Sequence, residues 1–349
     1  MRTVTISPGK GSRKRLAGDL KRQMLSRDLR PGMRLPTYDE MQAIYGTSRA
    51  TLLQVISDLK RDGFVVSQER QGLYVAPMLP CDTRFGLLFQ LHESSNRFWS
   101  KLAAASTKQD SELEAIIFRN LEHADTNDWH DLKADLFAHR LGGVIFTHSP
   151  ENHDALELVN SPDIPKVMIS DDGKDFPNSA RIHLDLKDQA EKVVTDLTAN
   201  GAGKIACITM GKQHIGDIFR QAMQDNGIPI YDHLIQSVPR NHCSIASNLI
   251  QLMLHASPEY RPDGLYIADD NLTQHIIAGL VEHGVQASSA LRIVSHCNLP
   301  ETERWALPIR RIGFSCPDIL HHAMMMARDL KQGKTVEDWT CKSVFEDEL

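Results

Sequence analysis

Apolar residues recur at helical spacing near the start of the chain. Leu16, Leu20 and Met24, with Leu25 beside them, predict an amphipathic helix that stops before Arg30-Pro31-Gly32, because the residue before a proline avoids the helical region. A second helix opens at Pro36-Thr37, where Thr37 can cap and Glu40 sits three residues on; its predicted inward face is Met41, Ile44 and Tyr45. Gly46-Thr47-Ser48 makes a tight turn into a third helix capped by Ser48, whose Leu52, Val55, Ile56 and Leu59 form an i, i+3, i+4, i+7 stripe. After Asp62-Gly63, segments 64–66 and 73–75 read as two strands around Gln71-Gly72. The order predicts a helix-turn-helix with a β-hairpin wing over residues 1–76.

Residues 77–83 read as a short linker, punctuated by Pro77 and Pro80 and stiffer than a Gly/Ser segment. Beyond it, short apolar runs at 85–90, 116–118, 143–146, 166–170, 205–209, 264–267 and 291–295 alternate with helical segments. That alternation predicts an α/β fold with parallel sheets, and a break near 182–185 divides 84–349 into two similar lobes joined by crossover strands.

Composition narrows the class. The chain has 349 residues, enough for two or three domains, with 41% hydrophobic and 24% charged residues, as in a globular protein and unlike a disordered chain. No run approaches about 18 apolar residues, and the basic start lacks an apolar segment behind it, so neither a membrane span nor a secretory leader is expected. Six cysteines without a C-x-x-C pair fit neither a disulfide framework nor a zinc ribbon, which leaves the cytoplasm as the expected location. The net charge of −6 conceals an asymmetry: residues 1–77 carry 14 Lys+Arg against 7 Asp+Glu, and 78–349 carry 25 against 38. Only the small module is suited to a polyanion, helped by a basic arm of Lys10, Arg13, Lys14 and Arg15.

The run LPTYDEMQAIYGTSRATLLQVISDLKRDGFVVSQERQGLYV resembles the winged-helix DNA-binding domain of the GntR regulators, with Pro31-Gly32, Gly46, Ser48-Arg49, Thr51, Leu59, Gly63 and Gly72-Leu73-Tyr74-Val75 in register. The resemblance implies an interface to double-stranded operator DNA made by Thr37, Ser48, Arg49, Thr51, Arg70, Gln71 and Gly72. Arg49 at the recognition-helix N-terminus is the base-reading candidate, and Gly72 lets the wing backbone approach the minor groove. Two positions depart from the family: Asp39 and Leu53 stand where it usually carries arginines. Leu53 could pack on the wing or meet a thymine methyl.

Residues 84–349 resemble the periplasmic-binding-protein-like effector domain of the LacI regulators. The matches are Asn96-Arg97-Phe98-Trp99, Asp185 opening a helix, Gly201, Phe219-Arg220-Gln221-Ala222-Met223 before Asn226-Gly227-Ile228, and Pro262-Asp263-Gly264 leading to Ala268-Asp269-Asp270. A GntR-like head on a LacI-like body is a hybrid found among sugar-responsive repressors, including the arabinose-responsive one. The resemblance implies a small-molecule effector, a sugar or derivative, in the crevice at the carboxyl ends of the strands. Phe98 and Trp99 would face a sugar ring, Asp270 would accept from two hydroxyls, and His148, Asp171, His214, Arg220 and Phe314 would line the rest. Ile215, Asp269 and Leu186 replace family ligand-associated residues.

Other chemistry is set aside. Asp318 and His322 at i, i+4 are too few for a metal site, Gly9-Lys10-Gly11-Ser12 lacks the remainder of a phosphate loop, and no nucleophile elbow or cofactor lysine is visible. No catalysis and no cofactor are expected. The sequence reads as a homodimeric, effector-controlled transcriptional regulator; the alternative is a regulator controlled by a protein partner, with a degenerate pocket.

Overall fold

A computed structural model of the chain describes residues 13–349 apart from 69–70, 108–111, 124–125, 149–152, 170–174, 212–213 and 287–289. In the head, α1 (Arg13–Leu25), α2 (Tyr38–Tyr45) and α3 (Arg49–Arg61) precede a hairpin of β1 (Val65–Gln68) and β2 (Gly72–Val75). Leu16, Leu20 and Met24 of α1 meet the α3 stripe, Met41 and Phe64 in one core. The local signals act where they stand in the sequence. Thr37 and Glu40 close a reciprocal capping box, Ser48 accepts from the Thr51 N–H, and Gly46 ends α2 in the left-handed conformation.

Two expectations for the head are corrected. Arg13, Lys14 and Arg15 are not an arm: they form the first turn of α1, where Arg13 grips Asp58 of α3 with two bonds of 2.6 and 2.7 Å. Lys10 lies outside the described residues. Ile44 is 44% exposed instead of inward. At about 100° per residue, Tyr45 stands closer than Ile44 to the Met41 direction, and it is Tyr45 that packs on the head core.

Leu79 and Cys81 join the same core, and the short helix α4 (Pro80–Thr83) leads without a gap into the body. The first lobe is built from β3 (Arg84–Leu88), α5 (Arg97–Ser106), β4 (Glu114–Phe118), α6 (Asn127–Phe137), β5 (Val144–Phe146), α7 (His153–Asn160), β6 (Lys166–Ile169) and β7 (Ser179–Leu184). The second contains α8 (Leu186–Ala199), β8 (Ile205–Met210), α9 (His214–Asp225), β9 (Ile235–Val238), α10 (Ile245–His255), β10 (Gly264–Ile267), α11 (Asp270–Glu282), β11 (Arg292–Leu299) and β12 (Arg310–Ser315). The chain then returns through α12 (Cys316–Lys331) and β13 (Trp339–Cys341) to the first lobe and ends with β14 (Val344–Phe345) in the second.

Each lobe is a six-stranded sheet, in the order β13-β7-β6-β5-β3-β4 and β14-β12-β11-β10-β8-β9. All pairings in the two sheets are parallel except β12–β14. Helices cover both faces, as parallel sheets require, giving each lobe two core clusters. The break read near 182–185 is the first crossing between lobes. The Met324-Met325-Met326 run lies on α12, with Met324 and Met326 buried beneath the first sheet.

The head is docked on the first lobe. Asp62, 5% exposed at the end of α3, accepts from Lys21 (2.8 Å) and from Arg140 of the body (3.1 Å), while Lys21 also donates to the Ala138 carbonyl (3.0 Å). Burial pushes the Asp62 carboxyl up, but Lys21 and Arg140 outweigh it and hold the pKa below the ordinary value. A Cβ at Gly142 would run into the Cys81 carbonyl, so linker and lobe touch backbone to backbone.

Asp62→Ala removes the partner that Lys21 and Arg140 share, leaving Lys21 with the Ala138 carbonyl and Arg140 with Asp135, and is expected to cost about 1–3 kcal/mol, read by urea unfolding. Lys166 is fully buried, with Nζ donating to the Ser161 and Pro177 carbonyls, and burial lowers its pKa to about 8. The fold therefore favours the neutral amine while the unfolded chain keeps its proton to higher pH, so this group's contribution to stability rises as pH passes upward through 8. The rise should be absent from Lys166→Met, measured by urea unfolding on either side of that pH.

Candidate functional site

Two surfaces carry the singled-out residues. On the head, Ser48 and Arg49 are exposed at the start of α3. Ser48 Oγ lies 2.9 Å from Thr51 Oγ1, so both hydroxyls serve the cap while facing the helix N-terminus. Arg49 bonds Asp39 (3.1 Å) and lies 5.6 Å from the Tyr38 ring centroid. The departure at Asp39 thus supplies Arg49 with an intramolecular partner that a polyanion would have to displace. Thr37 is exposed, but its hydroxyl is held in the capping box by Glu40 (2.9 Å).

Leu53 does not pack on the wing: it is 49% exposed, one turn beyond Arg49 on the outer face of α3. Gln71 is exposed at the wing, and Gly72 takes φ +117, a conformation that L side chains rarely adopt. Arg70 lies outside the described residues. Sequence reasoning missed Arg34, which is exposed, forms a β-bridge with Tyr74 and places its guanidinium against Gly72. A single bridged residue carries no period, so nothing in the sequence marked it.

The second surface lies between the lobes. Strand ends from both sheets meet around a cavity of about 170 Å³, because each parallel strand hands its carboxyl end to a helix start. Phe98, on the helix that Asn96 caps, lines it from the first lobe; Tyr266, Asp269, Asp270, Asn298 and Phe314 line it from the second. The crossing segment adds Leu184, Leu186 and Gln189, and α9 adds Ile215 and Ile218.

Polar order in the cavity is specific. Tyr266 Oη donates to Gln189 Oε1 (3.2 Å), and Gln189 Nε2 lies 3.0 Å from His296 Nδ1. Burial drives the Tyr266 hydroxyl well above its ordinary pKa, which keeps it a donor. Asp270, 5% exposed, accepts from Asn298 Nδ2 at 2.8 Å and faces Arg97 Nε at 3.5 Å. Burial raises its pKa against the opposing pull of His296, Asn298 and Arg97. Asp269 caps α11, its Oδ1 taking the Asn271 N–H and Nδ2.

The other predicted cleft residues are placed differently. Trp99 and His148 pack together, ring centroids 5.9 Å apart, with Trp99 Nε1 donating to the Thr147 carbonyl (3.4 Å); neither lines the cavity. Burial lowers the His148 pKa to about 4, so this ring is neutral. His214 is exposed at the first turn of α9 and does not reach the cavity, and Arg220 is bound to Asp232 (2.6 Å) on the outer side of that helix. Residue 215 stands about 100° round the helix from 214, and it is Ile215 that lines the cavity. Asp171 lies outside the described residues. Gln189, Tyr266, His296 and Asn298 were missed, although His296 and Asn298 alternate with apolar neighbours in a strand, a period-two signal of one polar face.

Among the described residues no group of three or more His, Cys, Asp or Glu could hold a metal ion, and no helix is long and apolar enough to cross a membrane. His322 is committed elsewhere, stacked on Trp339 at 3.9 Å.

Residues 12–75 match the family model described as bacterial regulatory proteins, gntR family, and residues 85–301 match that of periplasmic binding proteins and the sugar binding domain of the LacI family. The chain is 31% identical over 149 residues to the HTH-type transcriptional regulator DegA of Bacillus subtilis, covering 40% of this chain and 44% of that protein. It is 26% identical over 219 residues to the HTH-type transcriptional repressor PurR of Actinobacillus pleuropneumoniae, covering 58% and 62%. Both matches span less than two thirds of the relative.

Among solved structures, a regulatory protein of the LacI family from Chloroflexus aggregans superposes with TM-score 0.58 at 15% identity, over 76% of this chain and 96% of that one. A LacI family transcriptional regulator from Lactobacillus casei with bound sucrose gives 0.56 at 15% identity, over 75% and 98%. At these identities the likeness concerns the fold.

Asp270→Asn removes a carboxylate whose raised pKa makes the fold less stable as pH rises above the unfolded value. The variant is expected to melt at the same or a higher temperature than the parent at neutral pH, and to lose this advantage as acid protonates Asp270. Differential scanning calorimetry across that range checks it.

Proposed function

The chain belongs to the family of periplasmic binding proteins and LacI sugar-binding domains and carries a gntR-type helix-turn-helix, and on that premise we propose that it is a DNA-binding repressor controlled by a small molecule, a sugar or derivative, held between its lobes. The observation that carries this reading is the cleft: Asp270, buried with one oxygen bonded by Asn298, stands across a small cavity from the Phe98 ring, where the lobes meet. A carboxylate and an aromatic face are what a polyhydroxylated ring needs for hydrogen bonds and stacking. The reading divides the chain into a head (1–76), a connection (77–83) and an effector and dimerisation body (84–349), acting in the cytoplasm without catalysis.

In the head, Arg49 reads a base edge in the major groove while Ser48, Thr51 and Thr37 meet phosphates and Gln71 and Gly72 approach the minor groove. Leu53, exposed one turn on, meets a thymine methyl. A homodimer on a pseudo-palindrome is supported by α10 and α11 of the second lobe, which leave Ile245, Leu252 and Val281 at 45%, 70% and 46% exposure. Effector shifts the population of lobe arrangements. Because the head is bonded to the first lobe through Asp62, Arg140 and Lys21, a change of lobe angle moves the head as one piece and resets the spacing of the two heads.

Arg49→Ala should weaken specific operator binding by about 1–3 kcal/mol while leaving non-specific binding in place, read by fluorescence anisotropy with operator and scrambled duplexes. Asp270→Ala should still bind operator but no longer release it when effector is added. A normal effector response from Asp270→Ala would remove the cleft from the mechanism. Effector is sought by thermal unfolding against mono- and disaccharides, sugar acids and polyols.

A further inference from the structure

The charges around the cleft say more about the effector than its outline does. Asp269 and Asp270 are the ionisable carboxylates that line the cavity; no lysine or arginine lines it with them, and His296, which acts on Asp270, is the lining side chain able to carry positive charge. Each has an oxygen to spare: Asp270 Oδ1 and Asp269 Oδ2 accept no hydrogen bond from any described residue, their partner oxygens being taken by Asn298 and Asn271.

The nearest cations are spent elsewhere. Arg97 lies 3.5 Å from Asp270, but its terminal nitrogen is 3.2 Å from Glu301 and 2.8 Å from Glu303, and Lys101 is bound to Glu301 at 3.1 Å. Glu301 is itself 3% exposed at its side chain, and although burial pushes its carboxyl up, the Glu303 and Thr302 N–H groups and Lys101 bring its pKa down to about 2. Asp270, Glu301 and Glu303 thus share Arg97 and Lys101.

An anionic ligand would find only His296 in the lining as a possible counter-charge and would enter against two carboxylates in a poorly solvated space. A cation would meet the spare oxygens of Asp269 and Asp270 and, beside them, the rings of Phe98, Tyr266 and Phe314, whose faces also favour positive charge. We propose that the effector carries a protonated amine, as in an amino sugar or a small hydroxylated amine, seated between Asp269, Asp270 and these rings, and that the cleft rejects sugar acids and sugar phosphates. This rests on the reading of the cleft as an effector site and adds the charge of its occupant.

The test is thermal unfolding of the full chain, in buffer near pH 7, with matched probes: glucosamine and galactosamine, the neutral hexoses glucose and galactose, and the anions gluconate and glucose 6-phosphate. The expected result is a midpoint raised by about 2–4 °C with an amino sugar at several times its Kd, with little or no shift from its neutral counterpart and none from the anions. The shift should vanish in Asp270→Asn, whose own midpoint shows that it is folded, and should shrink as added salt screens the pair.

A shift from an anion, an equal shift from neutral and amino sugars, or no shift from either amine overturns the proposal. A shift from neutral hexoses alone overturns it while leaving the effector reading intact. Operator binding, measured on the same preparation, reports separately on the regulator reading.

Discussion

The architecture depends on how the chain passes between its lobes. It crosses three times, at Asp185, between Ser315 and Cys316, and between Cys341 and Val344, and the first and third crossings are bonded to each other. The Asp185 N–H donates to the Cys341 carbonyl (3.0 Å), its carboxylate caps α8 and takes Lys342 at 2.5 Å, and Ser343, fully buried, joins Asp188 at 3.1 Å. Burial raises the Asp185 carboxyl, but the Asp188 N–H and Lys342 prevail and hold it ionised. This clasp ties the first and third crossings together beside the cleft, where Leu184, Leu186 and Gln189 line it, and the lobes are the parts proposed to move.

A second constraint joins the head to that moving part. A proline-punctuated connection suggests restraint, but the restraint found is stronger than linker stiffness, since Leu79 and Cys81 belong to the head core while Gly142 presses on the Cys81 backbone from the body. Arg27 adds a pair with Asp82 at 2.9 Å. Residues 76–83 are thus packed as one unit with the head and the first lobe.

The cleft combines neutral relays with concentrated charge. Tyr266, Gln189 and His296 form a hydrogen-bonded chain within the second lobe, with Gln189 on α8 beside the crossing and the other two on β10 and β11. Arg97 and Lys101 reach from the first lobe to Glu301 and Glu303 of the second. Arg97 thus belongs both to the contacts between the lobes and to the charges around the cleft.

Much of this was legible in the residues. Helical spacing, Thr37 with Glu40, Ser48 and the two short strands of the wing are local devices, and they produced the head without reference to the rest. The alternation of apolar runs with helices likewise marked the lobes, but β7, β9, β12, β13 and β14 were not read: β13 and β14 have three and two residues, and polar residues such as Arg181 and His183 in β7, Gln236 in β9 and Arg310 and Arg311 in β12 interrupt the apolar run. The cleft was legible only as far as strand ends could be ordered along the chain. Phe98, Asp270 and Phe314 line it, yet Trp99 and His148 pack behind it and Arg220 turned to Asp232, because one residue of rotation on a helix decides which side faces in. By itself the sequence determined the elements and their order, through short-range sterics and hydrophobic period. Only the tertiary structure decided which charges meet, since Arg97 with Glu301, Asp62 with Arg140 and Gln189 with His296 are separated by 78 to 204 residues and are brought together by three crossings and a docked head.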